Sequence, residues 1–290
     1  MLLGLIAAAI WGLTPVATKV ALEGFSPELL GFLRLAIAAV LFRVIAGNRA
    51  RWFVADLWIW IAGAGLGADF LLYNYGLQRT TANVAGLVIN VELISTILLA
   101  VWLLGERLSA RRVLGSAITL GGVLLVTVDG LSLSDLVNGR RAIGNILVMS
   151  AGVAWSLYAI AQRRTAYGHN LFQRMTPIFS VAAIVAAPAL LRRGAWTAAG
   201  GMEPVLMFIV LTLFGTSIVY WIYARAQQLI DVSILAILLC TIPIFAVLFA
   251  WLLLGERLTT VLLMGGGIVT AGIALIATER RAGKAMPPVP

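Results

Sequence analysis

The chain has 290 residues, of which 61% are hydrophobic and only 11% charged. Soluble domains carry about 45–50% apolar and about 25% charged residues, so a soluble globular protein is excluded. The formal net charge of +9 comes largely from arginines in short loops, a pattern that suits topology and anionic lipid headgroups and gives no nucleic-acid surface.

Ten apolar runs follow one another at about 2–22, 27–46, 53–77, 82–104, 110–128, 143–162, 171–191, 204–228, 231–254 and 261–278. Each approaches the ~20 residues needed to cross roughly 30 Å of hydrocarbon as a helix, and unbroken runs exclude the alternating strands of a barrel. The expected fold is therefore an all-α integral membrane protein with ten transmembrane helices. The first run starts at Met1 without a positively charged leader and is expected to be retained as a span. Between the fifth and sixth runs lies a connecting loop, 129–142. The end of the chain, 279–290, is expected to be a disordered cytoplasmic tail. Cys240 is the only cysteine and His169 the only histidine, so no disulfide framework, metal centre or cofactor is expected.

One stretch occurs twice. Leu103-Leu104-Gly105-Glu106-Arg107-Leu108 returns unchanged as Leu253-Leu254-Gly255-Glu256-Arg257-Leu258, 150 residues later. At the same offset Tyr73 pairs with Tyr223, Gln78 with Gln228, Gly115 with Gly265 and Gly122 with Gly272. A period of half the chain means a duplicated unit, residues 1–128 and 143–278, with five helices in each. An odd number of spans starts the second unit from the opposite membrane face, so an inverted repeat around a central cavity is expected, an architecture of secondary transporters. With the N-terminus inside, the cytoplasmic loops and tail hold 12 Lys and Arg against 7 outside. Both termini are therefore expected in the cytoplasm.

Trp11-Gly12, Lys19, Ser26-Pro27 and Arg34, with Leu-Gly-Glu-Arg-Leu closing the fourth helix of each half, resemble the drug/metabolite transporter superfamily in its EamA-type ten-helix branch. Within that branch the chain looks most like the YddG-type amino-acid exporters, including exporters of aromatic amino acids. The resemblance implies a cavity between the first, third and fourth helices of each half. It also implies a proline in the fourth helix of a half. Pro243 supplies it in the second half, whereas the matching residue in the first is Leu93. The ninth segment is thus expected to bend, as a gate or simply as helix shape, where the fourth need not.

Ionisable groups inside a membrane are costly and point to function. Glu92, mid-way along the fourth segment, and Asp69 in the third are candidates to bind a substrate ammonium or carry a proton, or are hydrogen-bonded packing residues. Lys19 and Glu23 are spaced for an ion pair. Arg34 is expected to snorkel or pair with a carboxylate. Trp11, Thr14, Tyr73, Asn74, Asn90, Trp155, Tyr158, Ser217, Tyr220 and Thr241 are the candidate substrate contacts, with Asn83 a further hydrogen-bonding candidate. Trp11 and Trp155 sit at comparable depths in the first helix of each half, where ring faces would take an apolar side chain or an ammonium. Trp52, Trp58, Trp60 and Trp196 fit an interfacial belt. The Gly-Glu-Arg motifs are expected to be helix caps and headgroup contacts, and the glycine-rich fifth and tenth helices packing supports.

These features point to a monomeric secondary transporter in a bacterial inner membrane. It would export small metabolites, amino acids foremost and aromatic ones among the candidates, by alternating access. A multidrug or other metabolite exporter of the same fold, or an uncoupled channel-like facilitator, is the alternative. No nucleotide-binding motif is present. No paired catalytic groups point to an enzyme.

Overall fold

Large apolar side chains cover the outside of the molecule: Leu2, Val44, Leu57, Trp102, Leu191 and Met202 are all more than two-thirds exposed. Meanwhile Glu28, Ser156, Thr176, Thr216 and Ser233 are fully buried. Apolar outside and polar inside is the arrangement of a protein whose solvent is lipid. The computed structural model describes residues 1–80, 85, 88–128, 139–165, 168, 170–192, 194, 201–254 and 260–277. Asn83, Trp196, Gly255-Glu256-Arg257, most of the connecting loop and the tail lie outside these residues.

Every regular element among the described residues is helical: α1 (Leu2–Gly24), α2 (Pro27–Ala46), α3 (Leu57–Leu77), α4 (Val91–Leu104), α5 (Ala110–Val128), α6 (Gly139–Arg164) and α7 (Leu171–Ala186). There follow α8 (Met202–Thr212), a π-helical turn (Leu213–Ile218), α9 (Val219–Gln227), α10 (Val232–Leu239), α11 (Ile242–Leu254) and α12 (Thr260–Ala277). The segments Pro27–Arg49, Arg141–Arg164, Leu171–Leu191 and Met202–Gln227 are long and apolar enough to cross a bilayer unaided. α1 adds a fifth as two pieces, Leu2–Thr14 and Val16–Gly24, bent by 42° to each other. Polar residues start several helices: Ser26 Oγ accepts from Leu29 N, Asp56 from Trp58 N and Asn170 from Gln173 N.

Two expectations about helix continuity need correction. The fourth segment, which lacks the proline and need not bend, is nonetheless interrupted by a turn at Ile89–Asn90; the ninth is interrupted at Cys240–Thr241. The breaks are equivalent under the 150-residue offset to within one residue. Tight i→i−3 bonds span both: Glu92 N to Ile89 O at 2.8 Å and Leu93 N to Asn90 O at 3.1 Å, against Cys240 N to Ile237 O at 3.2 Å and Thr241 N to Leu238 O at 3.1 Å. A proline is therefore not required for the interruption, since the first half breaks at the matching place without one. Pro243 is the second residue of α11, where its missing N–H is one of the donors that a helix start leaves unpaired anyway. It begins a half-helix and does not bend a continuous one. The sixth segment also begins earlier than expected, at Gly139, inside the span read as a loop.

The glycine-rich fifth and tenth segments, α5 and α12, pack on each other. A Cβ on Gly122 would meet Gly265 O at 2.8 Å, and one on Gly272 would meet Gly115 O at 2.8 Å. Gly121, Gly266 and Gly267 have open space around them and do not share that role. Gly272→Leu is expected to lower detergent-solubilised yield and melting temperature markedly. Gly121→Ala should leave both unchanged, as size-exclusion profiles and a thermal-shift scan would show.

Gly105 closes α4 in the left-handed conformation, φ 67°, as a glycine cap should. Glu106, however, does not reach for the headgroups. Its carboxylate accepts Val232 N at 2.8 Å, Ser233 N at 3.1 Å and Ser233 Oγ at 2.5 Å, capping α10 in the other half of the chain. Beside it Arg112 pairs with Asp231 at 2.8 Å. At a second position Glu28 pairs with Arg192 and accepts Tyr75 OH at 2.6 Å. Lys19 and Glu23, both exposed, make no ion pair with each other.

Candidate functional site

Each helix break is held against a glycine from the opposite half, and each of those glycines lies close to a candidate tryptophan. A Cβ on Gly12 of α1 would sit 3.0 Å from Ala246 N in the first turns of α11. One on Gly152 of α6 would sit 3.1 Å from both Ile89 O and Glu92 N. Glycine lets these backbones approach more closely than a side chain would without the neighbour giving way, next to Trp11 on α1 and one turn before Trp155 on α6. On the α6 side a hydroxyl seam closes the contact. Ser156 lies 2.6 Å from Ser95 and 2.8 Å from Thr96, and bonds the Glu92 carbonyl at 3.2 Å.

Trp11 and Trp155 meet edge to face with ring centroids 5.1 Å apart. Tyr220 of α9 lies 5.4 Å from Trp11 and 5.7 Å from Tyr158. Tyr223 closes the group, 5.2 Å from Trp155. Phe179 of α7 and Phe70 of α3 pack on Tyr220 at 5.3 and 6.1 Å. The expected central cavity is, at this point, filled by the rings themselves. Trp155, Tyr158, Tyr220 and Tyr223 are buried, whereas Trp11, Asp69, Tyr73 and Glu92 keep partial exposure. The aromatic members are thus mostly closed off, while the two carboxylates are less so. The Tyr158 hydroxyl is buried without a hydrogen-bond partner among the described residues, which is unusual for so costly a group. A ligand that hydrogen-bonds it would relieve that cost.

The charged groups near the cluster are Asp69, Glu92 and the buried Arg34. Asp69 acts electrostatically on Arg34, Tyr73, Tyr158, Tyr220 and Glu92. Glu92, in the first turn of α4, acts likewise on Tyr223 and Cys240. Neither carboxylate has a hydrogen bond or an ion pair among the described residues. Arg34 lies against the π-turn, donating to Thr216 Oγ1 at 2.9 Å and Gly215 O at 3.2 Å. Its guanidinium sits 4.8 Å over the Phe70 ring, so it neither snorkels nor pairs directly with a carboxylate.

Other candidates are used up locally. Asn74 donates to Pro27 O at 3.1 Å and ties α3 to the start of α2. Thr241 Oγ1 donates to Leu238 O, Ser217 Oγ to Thr212 O and Thr14 Oγ1 to Trp11 O, at 2.7–2.8 Å, each to a carbonyl three to five residues back along the chain. Asn90 stands at the start of α4 without capping it by its side chain. Trp52 and Trp60 are exposed, and the guanidinium of Arg164 lies 4.6 Å over Trp58, as interfacial aromatics allow. Sequence reasoning missed Tyr223 and Phe179 as members of the cluster, although Tyr223 was the repeat partner of Tyr73.

The decisive comparison is with family models: the model of the EamA-like transporter family matches residues 1–128 and 142–278. The chain belongs to the EamA-like transporter family. It is thus a multi-pass membrane protein of a family of transporters, and not an enzyme. Among curated relatives, an uncharacterized transporter of Archaeoglobus fulgidus is 27% identical, covering 93% of this chain and 95% of its own. A probable terminal-alkyne amino-acid exporter of Streptantibioticus cattleyicolor is 27% identical, covering 92% and 89%. A probable amino-acid metabolite efflux pump of Escherichia coli is 25% identical, covering 93% and 92%. A crystal structure superposes with a TM-score of 0.80 at 20% identity over 96% of this chain and 98% of that one, a likeness of fold.

Proposed function

We propose that this EamA-family chain is a monomeric secondary transporter that exports small metabolites, amino acids foremost, across a bacterial inner membrane with both termini in the cytoplasm. Its ten helical spans form two inverted units, 1–128 and 143–278, which rock about the aromatic cluster. The observation that carries this reading is the Trp11–Trp155 contact, at 5.1 Å, between the first helices of the two units. Rings from both units close over the same point, so parting the units opens it and closing them occludes it. The ring faces take the apolar side chain of the substrate. Asp69 and Glu92 offer negative charge to an ammonium or carry a coupled proton. The amino-acid exporter and efflux pump among the relatives support this substrate class. No described residues form a group that could hold a metal, and the proposed transport calls for none.

The test is uptake of radiolabelled amino acids by proteoliposomes, with and without a pH gradient. Saturable uptake that competes within the amino-acid panel is the expected result. Uptake of none, with drug-like cations transported instead, would replace the substrate class. Acceleration by the gradient should disappear in Glu92→Gln if Glu92 carries the proton. A gradient effect that survives Glu92→Gln but not Asp69→Asn would move that role to Asp69, and no gradient effect in the wild type would make the protein a facilitator.

A further inference from the structure

Arg34 is 6% exposed, and only two of its three guanidinium nitrogens are in use. Nε bonds Thr216 and one terminal nitrogen bonds Gly215 O, both on the π-turn. The second terminal nitrogen has no hydrogen-bond partner among the described residues. The wide turn is itself braced: Thr216 Oγ1 reaches back to Leu211 O at 2.9 Å and Ser217 Oγ to Thr212 O at 2.8 Å. The guanidinium is therefore held in a fixed orientation against Phe70, whose ring lies 6.1 Å from Tyr220 at the edge of the aromatic cluster.

Asp69 precedes Phe70 in α3, and its charge is felt at Arg34, yet the two do not close to an ion pair. Opposite charges deep in a bundle normally collapse onto each other, because an unpaired buried ion is costly. Here the π-turn holds one of them back. What remains is a donor and an acceptor of opposite charge, kept apart beside an apolar cluster. A zwitterion carries the complementary pair on one carbon, with a side chain to place among the rings.

We propose that Arg34 is the residue that selects the α-carboxylate of the substrate, donating to it through the unused terminal nitrogen while Asp69 receives the ammonium. This rests on the amino-acid reading above and narrows it. The site takes zwitterionic α-amino acids and discriminates against the amines that lack the carboxylate. A planar guanidinium matches a carboxylate, and a site built to bond a substrate group rejects analogues without it.

The experiment uses the full-length protein in liposomes and the best-transported amino acid of the panel, in competition with its own decarboxylated amine. In the wild type the amino acid should compete better than the amine by about tenfold or more. In Arg34→Gln that ratio should fall to about threefold or less while amine uptake persists, and Arg34→Lys should recover part of it. A merely structural role would reduce both ligands together and leave the ratio unchanged. An equal ratio in wild type and Arg34→Gln overturns the proposal and leaves amino-acid transport standing. Should Arg34→Gln fail to fold, the wild-type competition decides, since an amine that competes as well as its amino acid overturns the proposal by itself. Absence of any amino-acid uptake by the wild type overturns both readings.

Discussion

Trp11→Ala should cut amino-acid uptake by about tenfold or more while the protein is still recovered as a monodisperse membrane protein, a factor in keeping with losing one aromatic contact and the shape of the site. Trp11 is only half-buried, and its ring contacts Trp155, Tyr220 and Tyr223 at 5.1, 5.4 and 5.6 Å. Truncation there removes a wall of the site and not a keystone of the core. Trp155 differs. It is 6% exposed and touches four other rings, so Trp155→Ala carries a core-cavity cost of about 3–5 kcal/mol and should lower yield as well as transport. Its role is better read from Trp155→Phe, which keeps a ring and most of the volume. Unchanged initial rates in both Trp11→Ala and Trp155→Phe would remove the aromatic faces from the transport path and leave the cluster as packing.

Much of this arrangement was legible in the sequence because hydrocarbon imposes simple rules. Runs of ~20 apolar residues had to be helices, and most predicted boundaries fall within two or three residues of the observed ones. The comparable depths of Trp11 and Trp155 singled out two rings as cavity candidates, and the fold brings those rings into contact. What stayed hidden depends on contacts between segments. The break at Ile89–Asn90 has no proline to announce it; it is accommodated by Gly152 on another helix, some 60 residues further on. Asn74 and Tyr73 look alike as site candidates in sequence, yet the carbonyl of Pro27 consumes the Asn74 amide. The π-turn at Leu213–Ile218 carries no signature in Leu-Phe-Gly-Thr-Ser-Ile, so nothing foretold that Arg34 would be tethered there. Glu106 is the plainest case. At the end of a span its carboxylate fitted a headgroup contact, and only the fold brings the start of α10 to it.

Glu106→Ala should therefore behave unlike a loss of surface charge. The carboxylate gathers two backbone N–H groups and the Ser233 hydroxyl at 2.5–3.1 Å, all from the half of the chain to which Glu106 does not belong. Asp231, at the N-cap position of α10, makes no side-chain cap and is engaged instead by Arg112, so Glu106 supplies the cap that α10 lacks locally. Removing it strands those donors at the start of a helix only eight residues long, which ends at the break beside Thr241. A charged acceptor of this kind contributes about 2–3 kcal/mol. The expected result is a fall of several degrees in the melting temperature of the purified protein, with Glu106→Gln intermediate because its amide oxygen still accepts one bond. Arg107→Ala, whose side chain is exposed at the neighbouring position, is the matched control and should melt with the wild type. If Glu106→Ala and Arg107→Ala melted together, the cap would be without energetic weight, and the Arg112–Asp231 pair and apolar packing would hold the two halves at this end.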